Sequence, residues 1–136
     1  MNDWHDLGGD QGLYLENVLD HYRAPHNFGP LTEATFSHRE MSLSCGDALE
    51  LAVKLDDAGR VADAKFQGSG CALSVAAASM LTDYIKGRTV AELQALSQED
   101  VFKLLGFEVG VSRLRCALLG LKTLELGLAD HLKNHG

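Results

Sequence analysis

Basic residues are scarce in this chain: twelve Lys and Arg stand against nineteen Asp and Glu, a net charge of −7. That balance excludes nucleic acid and anionic membrane as expected partners, because both need a basic surface. Long apolar runs are missing too, so no segment is expected to span a membrane. The first residues carry Asp3, Asp6 and Asp10 and no apolar core. Neither a secretory signal nor a basic transit peptide is expected there, which predicts a cytoplasmic protein with reduced thiols. Only two prolines are present, so Pro-rich linkers are excluded. Three cysteines are an odd number, and no two form a Cys-x-x-Cys pair. This argues against a disulfide framework and against a local zinc-ribbon signature.

What is present suits one small domain. The chain has 136 residues, 46% of them hydrophobic, and fourteen glycines for tight turns. Residues 1–12 read as a flexible lead-in and 13–136 as a single domain. From Leu13 the pattern is helical, with Leu13, Val18, Leu19 and Tyr22 on one face and Ala24-Pro25 as the stop. A turn over 25–30 precedes three strand candidates at 34–38, 49–55 and 61–66. The last two alternate apolar and polar residues across the turn Asp56-Asp57-Ala58-Gly59 and so predict a hairpin. Gly68-Ser69-Gly70 is expected to break the strand and open a helix at Cys71, which Gly87 caps near Lys86. Ala77, Met80 and Tyr84 share a face of that helix. Short helices follow at 89–96 and 98–105. Ser112 reads as the N-cap of a last helix through Leu132, with Leu114, Leu118, Leu121, Leu128 and Leu132 as its core stripe. Strands and helices are segregated, so the expected class is α+β: a three-stranded antiparallel sheet with helices packed on one face.

The chemistry centres on Cys45, Cys71 and Cys116. Cys45 precedes Gly46-Asp47 in a predicted turn, Cys71 starts a helix, and Cys116 lies one turn inside the last helix. A helix N-terminus stabilises a thiolate through its dipole and free amides. Buried free cysteines also serve simply as small core residues, and that reading stays open at this stage. Asp47 reads as turn chemistry, or as the carboxylate that completes a four-coordinate site. Arg115 reads as a solvated helix cation, or as a charge that favours the neighbouring thiolate. The histidines read as structural: His5, His131 and His135 near the ends, His21 and His26 around a turn, His38 in a strand.

These residues sit in motifs that resemble a known family. The motifs are Asp20-His21-Tyr22, Pro25, Asn27-Phe28-Gly29, Ser44-Cys45-Gly46-Asp47, the run from Ala64 through Cys71 to Ser74, Lys86-Gly87-Arg88-Thr89-Val90, and Arg113-Leu114-Arg115-Cys116-Ala117-Leu118-Leu119. Their order and contexts are similar to the U-type iron–sulfur scaffolds: IscU, the N-terminal domain of NifU, and SufU. The resemblance runs from Tyr14 to about Leu132. It implies an iron–sulfur assembly scaffold, not an enzyme in the ordinary sense, that accepts sulfur from a cysteine desulfurase of the SufS or IscS type. It implies that Cys45, Cys71, Cys116 and Asp47 bind iron or a transient [2Fe–2S] cluster, with Zn²⁺ an alternative in the resting protein. Cys116 is the expected sulfur acceptor, Arg115 an auxiliary group, and apo iron–sulfur proteins the expected recipients. The alternatives are a zinc-dependent sulfur relay of the SufU kind and a structural zinc domain. A cysteine-dependent enzyme with Cys71 as nucleophile is the remaining class, although no histidine is marked as its base.

The sequence also departs from the family pattern. Arg115 stands where the IscU branch has a histidine, and Gly106 to Val111 replace a Leu-Pro-Pro-Val-Lys motif. The insertion of about twenty residues typical of the SufU branch is missing.

Overall fold

The computed structural model describes residues 10–42 and 46–135, and side chains between 15 and 134 of those stretches. In chain order the elements are α1 (Asp10–Arg23), β1 (Phe36–Ser42), β2 (Asp47–Leu55), β3 (Val61–Ser69), α2 (Ala72–Ile85), α3 (Val90–Gln94), α4 (Gln98–Leu105), a 3₁₀ turn (Val111–Arg113) and α5 (Leu114–His135).

The three strands form one antiparallel sheet in the order β1-β2-β3. Alternation in β2 sets which face is covered: Leu49, Leu51 and Val53 are buried, while the residues between them are half-buried. A period of two puts those three on one face. Helix α5 packs against β1 and β2, and α2 packs against β3 and α5, with α1 and α4 leaning on α2. The helices therefore cover one face of the sheet, as expected for the α+β class. The free edge of β3 is closed by the turn after α1. Phe66 donates its backbone N–H to the Asn27 carbonyl, and Gly29 donates to the Phe66 carbonyl, both at 2.9 Å.

Several boundaries differ from the sequence reading. Helix α1 begins at Asp10, and its described buried side chains are Val18 and His21, while Tyr22 is exposed. Helical geometry puts His21 three residues from Val18 on the same face, a position that its polarity disguised. Strand β1 runs to Ser42 because it pairs along its whole length with β2, from Phe36 opposite Val53 to Ser42 opposite Asp47. Strand β3 continues through Gly68 to Ser69 instead of breaking there. Gly68 lies at φ +138, and a Cβ at that position would come within 2.1 Å of the Ala48 carbonyl oxygen. The glycine is thus a close-approach residue inside the ladder.

Ser112 is not an N-cap: it lies inside the 3₁₀ turn, whose own cap position is Gly110, and α5 proper starts at Leu114. The buried stripe of α5 is Ala117, Leu121, Leu124 and Leu128, whereas Leu114, Leu118 and Leu132 are half-buried at its margin. At about 100° per residue, positions 117, 121, 124 and 128 fall within roughly 60° of one another, and 114, 118 and 132 lie to one side of them. Helices α2 and α4 hold their expected places, and Gly87 follows α2 at φ +84.

Candidate metal and sulfur site

The site lies where the start of β2, the start of α2 and the start of α5 meet. Asp47 is the first residue of β2 and is only 4% exposed. A buried carboxylate must be hydrogen-bonded, and its partners come from α2. Its Oδ1 accepts the Cys71 backbone N–H at 3.1 Å, and its Oδ2 accepts the Ser74 hydroxyl at 2.5 Å. Gly70 makes this approach possible, because a Cβ there would lie 2.8 Å from Asp47 Cγ. Cys71 is the N-cap residue of α2 and is exposed. Cys116, in the first turn of α5, is 9% exposed. Ser74 is fully buried and also lies 3.1 Å from the Cys116 carbonyl and 3.5 Å from Cys71 Sγ. One hydroxyl therefore touches all three elements that build the site.

A carboxylate oxygen of Asp47 and the sulfurs of Cys71 and Cys116 lie within 4.8 Å of one another. Two soft thiolates and one carboxylate are a donor set for zinc, iron or an iron–sulfur cluster. Hydrogen bonds leave Asp47 able to ligate, since each carboxylate oxygen has two lone pairs. Cys45 lies outside the described residues. Its chain position, two residues before Asp47, limits the separation of their Cα atoms to about 7 Å. The three described donors are thus drawn together from positions 47, 71 and 116.

The two thiols also border a cavity of about 530 Å³ whose other walls are Leu15, Val18, Leu19, Ala72, Leu73 and Arg113. Arg115 lines a separate groove of about 750 Å³ with Met41, Ser42 and Gln98. Arg113 is a cation lining the cavity that the two thiols border. Arg113 and Arg115 therefore line different hollows of the surface. Ser74 was passed over; its signal was a small polar residue three positions after the helix-starting cysteine, where an N-terminal side chain can face the preceding turn.

A second cluster occupies the far half of α2. His21 Nδ1 lies 2.6 Å from Ser79 Oγ, which also accepts the His26 backbone N–H at 2.8 Å. His26 Nδ1 lies 2.5 Å from Asp83 Oδ2, and Asn27 Nδ2 donates to Asp83 Oδ1 at 2.8 Å. Burial first, and then the charge of His26, hold His21 below the ordinary imidazole range. For Asp83, burial pushes upward, but hydrogen bonds from His26 and Asn27 prevail and leave its carboxyl below the usual range.

Comparison with known proteins identifies the family. The family model for the NifU-like N-terminal domain matches residues 13–136. The chain is 33% identical over 122 residues to the iron–sulfur cluster assembly enzyme IscU of Drosophila melanogaster, spanning 88% of this chain and 78% of that one. It is 31% identical over 121 residues to the iron–sulfur cluster assembly scaffold protein IscU of Escherichia coli K12, spanning 87% and 93%. Among solved structures, a protein described as a candidate SUF-system scaffold from Fervidobacterium islandicum AW-1 superimposes with a TM-score of 0.71 at 26% identity, covering 88% of this chain and 99% of that one. The N-terminal part of a NifU-like protein from Brucella abortus shares the fold, with a TM-score of 0.71 at 18% identity over 89% and 94% of the two chains. The chain belongs to the NifU-like N-terminal domain family, the U-type iron–sulfur scaffolds.

Proposed function

We propose that this protein assembles an iron–sulfur cluster on Cys45, Cys71, Cys116 and Asp47 and passes it to apo acceptor proteins. The observation that carries the reading is the meeting of Asp47, Cys71 and Cys116 donor atoms within 4.8 Å. A structural zinc site is usually closed by sulfur and imidazole ligands alone. Here one ligand position falls to a carboxylate, a hard donor poorly matched to iron that is otherwise bound by sulfur. That position is the one an incoming thiolate most easily takes, which suits release.

Sulfur arrives in this reading as the terminal sulfur of a desulfurase persulfide. The Cys116 thiolate attacks that outer sulfur, the S–S bond of the donor breaks, and the donor cysteine leaves as a thiolate. The Cys116 persulfide then holds the sulfur beside Cys71 and the iron ligands, and an external two-electron donor, a thiol or a reduced ferredoxin, breaks its S–S bond to leave the Cys116 thiolate and sulfide for the cluster. Arg113, on the same cavity, offers a positive charge to these anionic groups. Zn²⁺ fits the same donor set and would occupy it in the resting protein.

The test is cluster transfer. Asp47→Ala is expected to stay folded, still assemble a cluster, and release it to apo-ferredoxin more slowly than the parent, followed by visible absorbance under anaerobic conditions. Equal or faster release by the folded variant would favour a structural metal site instead.

A further inference from the structure

We infer that His21, His26 and Asp83 form a second metal site, for a divalent transition-metal ion such as Zn²⁺ or Co²⁺, on the side of α2 remote from the thiols. One ligand atom from each residue lies within 4.8 Å of the other two. The imidazole rings of His21 and His26 have centroids 4.3 Å apart, inclined at 47°. Two imidazole nitrogens and one carboxylate oxygen are a donor set for borderline cations, with further positions left for water.

The three side chains are held by neighbours in the manner of metal ligands. Ser79 fixes the His21 ring and, through the backbone N–H of His26, the turn that carries the second ring. Asn27 occupies Oδ1 of Asp83 and leaves Oδ2 toward His26. Lys86 in turn donates to Asn27 Oδ1 at 2.5 Å. Supports of this kind orient ligands and raise affinity. His21 is buried, whereas the side chains of His26 and Asp83 are 55% and 44% exposed, so an ion has an entry path. Metal bonds of about 2.0–2.1 Å to both His26 and Asp83 require their contact to open by less than about 1 Å and to give up its shared proton.

The site is independent of the thiols. Cys71 and Asp83 are twelve residues apart on α2, about 18 Å along the helix axis. Its donors are nitrogen and oxygen, so it prefers different ions from the thiolate site. Its presence or absence leaves the scaffold reading untouched.

The experiment is calorimetric titration of Zn²⁺ into the full chain with Cys45, Cys71 and Cys116 all replaced by serine. The expected result is about one ion per chain, and adding His26→Asn weakens binding by at least about tenfold. Asparagine keeps a donor for Asp83, so the variant retains the turn; far-UV circular dichroism checks its fold, and Asp83→Asn is the second variant. If the cysteine-free chain does not fold, the parent protein serves: His26→Asn then lowers its zinc content by about one ion per chain. No binding by the folded cysteine-free chain, or equal binding by the folded His26→Asn variant, overturns the proposal and leaves the cluster as a hydrogen-bonded clip.

Discussion

The Asp47 carboxylate holds the first residue of β2 against the N-cap of α2, accepting the Cys71 backbone N–H at 3.1 Å. One side chain therefore serves the fold and the site together. Asp47→Ala removes the acceptor for that N–H and for the Ser74 hydroxyl, whose remaining acceptor is the Cys116 carbonyl at 3.1 Å. The expected cost is about 1–3 kcal/mol, the loss from leaving buried donors unmatched. Asp47→Asn keeps a carbonyl oxygen for Cys71 and costs less. Urea denaturation of the two variants checks the order.

Ser74 orients the site without being one of its expected ligands. Ser74→Ala leaves Asp47 and both thiols in place but removes the hydroxyl that fixes Asp47 Oδ2. Zinc affinity is expected to fall about 10–100-fold, as when an outer partner of a metal ligand is lost. Competition with a colorimetric chelator measures this. An unchanged affinity would mean that Asp47 does not ligate.

Arg113 and Arg115 are separable. Arg113→Ala removes a cation from the cavity of the thiols, and Arg115→Ala removes one from the groove beside Met41. Arg113→Ala is expected to lower the yield of reconstituted cluster more than Arg115→Ala does, read from bound iron and sulfide per chain.

Gly68 and Gly59 test the backbone argument. At Gly68 a methyl group meets the Ala48 carbonyl oxygen at 2.1 Å, whereas at Gly59, φ +78, it meets nothing within 4 Å. Gly59→Ala is expected to cost about 1–2 kcal/mol, the price of a left-handed conformation. Gly68→Ala adds a backbone clash and is expected to cost more than about 3 kcal/mol. Thermal denaturation of the pair gives the comparison.

The start of α3 carries a pH-dependent term. Glu92 accepts the Thr89 backbone N–H at 2.9 Å in a capping box, and this hydrogen bond first, then the one to the Thr89 hydroxyl, lowers its carboxyl below the ordinary 4.5. A depressed folded value means that the contribution is complete above the unfolded value and is lost as pH falls through the folded one. Glu92→Gln is expected to remove this term, so the stability difference between parent and variant shrinks below about pH 4.5. Denaturation midpoints between pH 7 and pH 3.5 follow it.

The sequence carried the hairpin of β2 and β3 and the extent of α2 because local signals agree there: period two, an Asp-Gly-rich turn, and Gly87 after the end of α2. It carried Asp47, Cys71 and Cys116 because each sits at an element start, and motif order joined them. The extent of β1 was hidden because its pairing with β2 is a tertiary event that short-range alternation does not encode. Ser74 and Arg113 were hidden for a related reason: their roles depend on which helix face turns toward the thiols. The histidine cluster was equally illegible, since His21 and His26 meet Asp83 only after α1 and the following turn dock on α2.

The central claim is that Cys45, Cys71 and Cys116 with Asp47 bind a cluster, and anaerobic reconstitution with ferrous iron, cysteine, a cysteine desulfurase and an excess of a dithiol reductant, which takes persulfide sulfur to sulfide, tests it most directly. The account predicts visible absorbance from sulfur-to-iron charge transfer, with about two irons and two sulfides per cluster, and its loss when Cys71 or Cys116 becomes serine. A parent protein that stays colourless and binds no iron, or a Cys71→Ser/Cys116→Ser protein that assembles the same chromophore, would contradict it.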